Sequence, residues 1–237
     1  MKILIDEKNR KYLYKGKDMH TKDGVIKKED IEIKNLIKSS KGKVYRVVEA
    51  NFYDKFLKIK RGPQILTPKD IGYIISRTGI GRNSIIVEAG GGSGAFSCYL
   101  GNICKKVYTY EVRKENIDII KQNLEFLDIC NVKVINDDIK NLKEKNFDLL
   151  FLDLPDPDRV LESIINNLKK GIEIVCYLPS MFQVEKLVEF CNKNLEDFFI
   201  EEVTEILKRD WIVEHKKVRP QNQMLGHTAF LVFIKKI

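Results

Sequence analysis

The chain has 237 residues, of which 43% are hydrophobic and 32% charged, with a formal net charge of +8. That length bounds it to one large domain, or a medium domain with a small appendage, and no apolar run approaches a membrane span. An isoelectric point near 9.1 suits either a polyanionic partner such as nucleic acid or a solvated lysine-rich surface.

Residues 1–60 are expected to form a small β-rich domain. Short strand-like runs recur at 11–14, 31–37 and 43–48, with turn-like stretches at 22–24 and 39–42. The lysines here either touch phosphate or protect edge strands. Residues 61–237 change rhythm. Strands are expected at 84–88, 106–110, 132–135, 147–152, 172–178, 198–207 and 228–234, with helices from about Ser93, at 114–127, at 158–168 and at 181–193. This alternation predicts an α/β, Rossmann-like domain with a mainly parallel sheet covered on both faces. The five cysteines (98, 104, 130, 176 and 191) form no C-x-x-C pair and there are three histidines. No metal site is expected, the thiols should be reduced, and the N-terminus has no signal-like core, so a cytoplasmic protein is expected.

The first apolar strand ends in Glu88-Ala89-Gly90-Gly91-Gly92-Ser93-Gly94. Glycine there lets the backbone turn sharply and approach a ligand at the carboxyl end of a strand. The next strand ends in Glu111, a carboxylate able to accept from both hydroxyls of a ribose. The third ends in Asn136-Asp137-Asp138-Ile139, where an acid can accept from an adenine amino group, one of the two doubling as a cap. The fourth ends in Asp153-Leu154-Pro155-Asp156-Pro157. The glycine spacing is G-x-G-x-G, which departs from the G-x-G-x-x-G of dinucleotide binding and favours S-adenosylmethionine over NAD.

In EAGGGSG, YEVR, NDDI and LDLPDP the chain resembles the class I methyltransferases. It is more closely similar to the TrmI-like tRNA (adenine-58-N1)-methyltransferase family, archaeal type. Gly62-Pro63-Gln64-Ile65-Leu66-Thr67-Pro68-Lys69-Asp70, Leu178-Pro179-Ser180 with Gln183-Val184, and Gly226-His227-Thr228-Ala229-Phe230-Leu231 carry that closer likeness. The resemblance implies a homotetramer that uses S-adenosylmethionine and methylates N1 of a T-loop adenine in tRNA, at position 58 and in archaeal members at its neighbour too. It implies that Gly90, Gly92, Ser93, Gly94, Ala95 and Phe96 wrap the cofactor above Glu88 and that Glu111 holds the ribose. Arg113 and Asn116 would lie near the adenosine, Asp137 and Asp138 near the adenine. Gln64 and Ile65 would close over the cofactor, and Asp153 would face the methyl and the target base. Thr67 departs from the family, whose members often carry an aromatic ring or histidine there. Stacking on the base is then expected from Tyr177, Trp211 or another subunit.

A 5-methylpyrimidine transferase would need a cysteine nucleophile, and Cys176 lies in an apolar strand where it reads as core. The basic stretch Arg209, Lys216, Lys217 and Arg219 around Trp211 is either a tRNA surface or a subunit contact.

Overall fold

A computed structural model describes residues 1–62, 65–214 and 217–237. The chain divides into two compact units, Met1–Ile59 and Lys60–Ile237.

In the first unit, β1 (Lys2–Asp6), β2 (Lys11–Leu13), the hairpin β3 (Met19–Thr21) and β4 (Gly24–Ile26), helix α1 (Lys28–Ile33), β5 (Leu36–Lys38), β6 (Val44–Glu49) and helix α2 (Phe52–Phe56) follow in order. An antiparallel sheet runs β2-β1-β6-β5. Along β6, Tyr45 and Val47 are buried while Arg46 and Val48 face solvent, the period of two of a strand covered on one face. Those two join Leu4, Ile26, Ile31 and Ile37 in a small core. The expected strand over 31–37 is corrected here, because its first half is the end of α1. Glu29 and Asp30 sit in that helix's first turn, where a helix N-terminus favours acids. The i,i+4 pairs Lys28–Glu32 (3.7 Å) and Asp30–Lys34 (2.6 Å) run along its surface. Of its residues only Ile31 is buried, on the small core, while Ile33 is exposed, so the Ile31/Ile33 alternation marks no buried strand face.

The second unit contains α3 (Pro68–Thr78), β7 (Ile85–Ala89), α4 (Ala95–Ile103), β8 (Lys106–Tyr110), α5 (Lys114–Leu127), β9 (Val132–Ile135), β10 (Leu149–Leu152), α6 (Pro157–Ile164), β11 (Glu173–Leu178), α7 (Met181–Lys193), β12 (Phe198–Thr204), the hairpin β13 (Trp211–Glu214) and β14 (Lys217–Pro220), and β15 (Phe230–Lys236). Its sheet has seven strands in the order β12-β15-β11-β10-β7-β8-β9. The neighbours from β11 to β9 are parallel, and β15 runs antiparallel to both β11 and β12. Every residue of β10 and β11 is buried, as strands covered on both faces require. Local signals set the helix ends. Pro68 and Pro157 occupy first-turn positions, Gly79 closes α3 with φ of 65°, and Ser180 with Gln183 forms a capping box on α7.

Chain order sets the site. β7, β8 and β9 step outward in one direction, and then the chain returns to lay β10 on the other side of β7. The carboxyl ends of β7 and β10 thus flank a topological switch point, where open α/β sheets bind ligands.

Candidate active site

The glycine loop bridges β7 and α4 at this switch point. Gly90 has φ of +84°, and a Cβ there would run into the carbonyl of Asp153 on the β10 side. A Cβ on Gly91 would lie 2.6 Å from Thr109 Oγ1 and 2.9 Å from Ile120 Cδ1, and one on Gly94 (φ +76°) 3.1 Å from Ile120. These three glycines let the loop pass close to β10 and α5. Gly92 differs. With φ of +54°, its nearest neighbour beyond the loop's adjoining residues would be a carbonyl 3.8 Å away, so its missing side chain leaves open space over the loop. Asn123 holds the loop from behind. Its amide donates to the carbonyls of Ser93 (2.8 Å) and Lys60 (2.9 Å), and its Oδ1 accepts from the Lys60 N–H at 2.7 Å.

Glu111, just past β8, accepts three hydrogen bonds from its own chain. They come from the Gly92 N–H (2.9 Å), the Arg113 N–H (2.9 Å) and the Asn116 amide (3.1 Å). The carboxylate is thereby fixed against the loop, with acceptor capacity remaining on its two oxygens. A cleft beside it is lined by Gly90, Glu111, Asp137, Asp138, Ile139 and Leu154, among others. Both acids after β9 act locally as caps. Asp138 accepts from the Lys140 N–H at 2.9 Å, and Asp137 from the Asp138 N–H and the Asn141 amide, each at 2.8 Å.

The other acids have different surroundings. Glu88 is buried under the loop, where the Ser97 hydroxyl donates to it. Burial, together with the charges of Asp153 and Glu111, pushes its carboxyl up to about 7. Asp153 receives no side-chain hydrogen bond from the described residues. The residue is exposed to solvent, although neighbouring protein partly desolvates its carboxyl. Desolvation and the charge of Glu111 raise it to about 7.

Of the residues expected from sequence, Gly90, Glu111, Asp137 and Asp138 line the cleft, and Asn116 reaches it through Glu111. Glu88 lies beneath the loop rather than in the cleft. The Phe96 ring is 1% exposed and packs on Phe151 at 4.3 Å between centroids; it and Ala95 offer a ligand only the backbone of a helix N-terminus. Arg113 contributes its backbone N–H, with its side chain exposed. Ile65 is half-buried beside the start of α3. Gln64 and Lys216 lie outside the described residues. Tyr177 is a correction as a stacking ring, since it is buried with its hydroxyl toward Asp70 (3.4 Å). Trp211 is exposed on the β13–β14 hairpin.

Sequence reasoning missed Asn123 and Asp70. Asn123 had a signal: it interrupts the apolar stripe Ile117, Ile120, Leu124, Leu127 of α5 while itself buried. Asp70 is wholly buried and accepts from the Thr67 hydroxyl (2.8 Å), the Lys69 ammonium (2.6 Å) and the Thr228 hydroxyl (3.0 Å). It thus joins the segment before α3 to the segment before β15, two of the motifs noted above, and turns Thr67 inward. His227 fastens the same region, donating from Nδ1 to Glu205 (2.5 Å) and from Nε2 to the Pro179 carbonyl (3.0 Å). Glu205 raises the imidazole above its usual range.

A mainly parallel seven-stranded sheet with a glycine turn and acids at the ends of successive strands is the class I S-adenosylmethionine-dependent methyltransferase fold. A solved S-adenosylmethionine-dependent O-methyltransferase from Thermotoga maritima matches all of this chain and 92% of its own, with TM-score 0.90 and 29% identity. The structure of the tRNA (m1A58) methyltransferase TrmI from Aquifex aeolicus matches with TM-score 0.86 and 29% identity, over 100% of this chain and 96% of that one. The tRNA (adenine(57)-N(1)/adenine(58)-N(1))-methyltransferase TrmI of Methanocaldococcus jannaschii is 35% identical over 97% of this chain and 93% of its own length. A family model described as the tRNA methyltransferase complex GCD14 subunit matches residues 56–229, and the chain belongs to that family.

Proposed function

We propose that the protein transfers a methyl group from S-adenosylmethionine to N1 of a T-loop adenine in tRNA, at position 58, with the neighbouring position 57 as a second target. One observation carries the reading in chemical terms: among the described residues no side chain hydrogen-bonds to Asp153, which lies beside the glycine loop at the switch point. The surroundings fit the cofactor. Gly92 leaves room over the loop, and Glu88, Glu111 and Asp153 give the site an acidic character that favours a cation.

When bound, S-adenosylmethionine supplies an electrophilic methyl on a positively charged sulfur. The chain's own residues then have positioning and electrostatic work. Glu111 accepts from the ribose hydroxyls, with Arg113 and Asn116 holding it in place. Asp138, backed by Asp137, accepts from the adenine amino group while Ile139 packs on the ring. Gly90, Gly92, Ser93, Gly94, Ala95 and Phe96 would present backbone to the methionine end above Glu88, and Ile65 would close over it. Adenine N1 has an in-plane lone pair and no proton to lose, so no general base is needed. The methylated ring is cationic, and ionised Asp153 accepts from the adjacent N6 amino group and stabilises that charge as it develops. N1 lies on the Watson–Crick edge, so the base must be turned out of its stack to reach Asp153. In this reading residues 1–60 are an RNA-side appendage, residues 61–237 the catalytic domain, and the working form a cytoplasmic homotetramer. Among the described residues no helix is long and apolar enough to cross a membrane.

The test is methyl transfer from labelled S-adenosylmethionine to an unmodified tRNA transcript, with the product nucleosides separated. N1-methyladenosine in the T-loop is expected. Label in a different base, or in no RNA at all, overturns the reading.

A further inference from the structure

The two units differ sharply in charge. Residues 1–59 hold 16 Lys and Arg against nine Asp and Glu, whereas residues 60–237 hold 26 against 25. A quarter of the chain therefore carries seven of its eight net positive charges. That excess has a local arrangement at one end of the first unit, where three turns meet.

The turns lie between β1 and β2, between β3 and β4, and between β5 and β6. Arg10 of the first pairs with Asp6 at 2.5 Å and reaches Asp23 of the second at 3.5 Å. Lys43, at the end of the third, pairs with Glu7 of the first at 2.5 Å. The Ser39 hydroxyl donates to the Asp23 carbonyl, and the Ser40 N–H to the Val25 carbonyl at 2.8 Å. All three carboxylates of this tip are thus taken by Arg10 and Lys43. Lys8, Lys22 and Lys41 remain, one on each turn, all exposed. Among the described residues none of the three has a carboxylate within ion-pair distance. The Lys41 ammonium reaches only the Lys22 carbonyl, at 3.4 Å.

We propose that this three-turn tip is a docking surface for the sugar–phosphate backbone of the RNA substrate, with Lys8, Lys22 and Lys41 as its phosphate contacts. Ion pairing within the tip fixes the turns, so the free ammonium groups are presented together on a folded platform rather than on a loose tail. Such contacts supply affinity and register without reading sequence, and they release counterions on binding. The proposal rests on the tRNA reading above.

The experiment uses the full chain. Lys8, Lys22 and Lys41 are changed together to Gln, and binding of unmodified tRNA transcript is measured over a salt series. A control carries Lys169→Gln, Lys170→Gln and Lys193→Gln, an equal loss of exposed charge in the second unit. The tip variant is expected to bind tRNA at least tenfold more weakly at low salt. Its slope of log Kd against log salt should be shallower by about two to three, since each lost phosphate contact removes about 0.7–0.9. Both variants should bind S-adenosylmethionine like the parent, which reports an intact second unit, and the tip variant should keep the parent's circular dichroism and melting profile. If the tip variant loses that profile, the single changes at Lys8, Lys22 and Lys41 replace it, each expected to reduce the slope by about 0.7–0.9. An unchanged slope in the tip variants, or an equal loss in the control, overturns the proposal while leaving the tRNA reading in place. Absence of tRNA methylation by the parent overturns the tRNA reading itself.

Discussion

Glu111 and Asp153 end neighbouring regions of one sheet edge, and the chain treats them in opposite ways. Glu111 is held by three hydrogen bonds from Gly92, Arg113 and Asn116, so its half of the site is fixed by the chain's own groups. Among the described residues Asp153 has no such partner, and its carboxyl is pushed up to about 7 by desolvation and the charge of Glu111. A group that recognises a constant part of a ligand gains from being fixed. A group that stabilises charge appearing during reaction gains from having its acceptor capacity free.

That contrast can be broken from either side. The largest effect is expected at the free acid: Asp153→Ala should lower kcat by about 10²–10³-fold and change S-adenosylmethionine affinity only slightly in equilibrium binding. A large loss of affinity with kcat intact would erase the distinction. Acid pH should imitate the change. Asp153 must be ionised to accept a hydrogen bond, and its carboxyl sits at about 7 in the free protein. Thus kcat/KM should fall about tenfold per unit below pH 7, and Asp153→Ala should flatten that limb. A cation bound alongside favours the carboxylate, so the limb in kcat should lie at lower pH than the limb in kcat/KM. On the fixed side, Glu111→Ala should weaken S-adenosylmethionine binding by about 10–100-fold, the worth of one or two hydrogen bonds to a charged group, with a smaller change in kcat at saturation. Asn123→Ala strips the loop of its rear support and should cost about 1–3 kcal/mol of stability, read by denaturant unfolding, because the Lys60 N–H and the Ser93 carbonyl lose buried partners. The smallest effect is expected at His227. Its raised pKa means that its contribution is fully present below about pH 6.5 and fades as pH rises through the folded value. His227→Ala should therefore lower Tm slightly at pH 6 and less at pH 9.

Much of this was legible from residues alone. The glycine run, Glu111, Asp137, Asp138 and Asp153 each follow an apolar strand, and α5 and α7 have the bounds that their periodicity sets. Other features were hidden for physical reasons. The Ile31/Ile33 alternation reads as a strand until the charges at 28–34 are seen to pair at helical spacing. Glu88 reads as a ligand group because sequence gives its place at the strand end but not the side chain's direction, which is down toward Ser97. Phe96 has the same fault, with its ring facing Phe151. Asp70 was obscure because its partners at 67, 69 and 228 are brought together only by the sheet.

The placement of β15 also bears on synthesis. Among the described residues β12 pairs with the sheet only through β15, which is made 26 residues later. While the ribosome is still joining those residues, β11 presents an unpaired apolar edge and β12 has no strand to lie against. Such edges invite pairing with other chains. The nascent chain is therefore most open to such pairing until β15 has been made, and a stop codon placed before residue 230 should yield an aggregating fragment rather than a weakened enzyme.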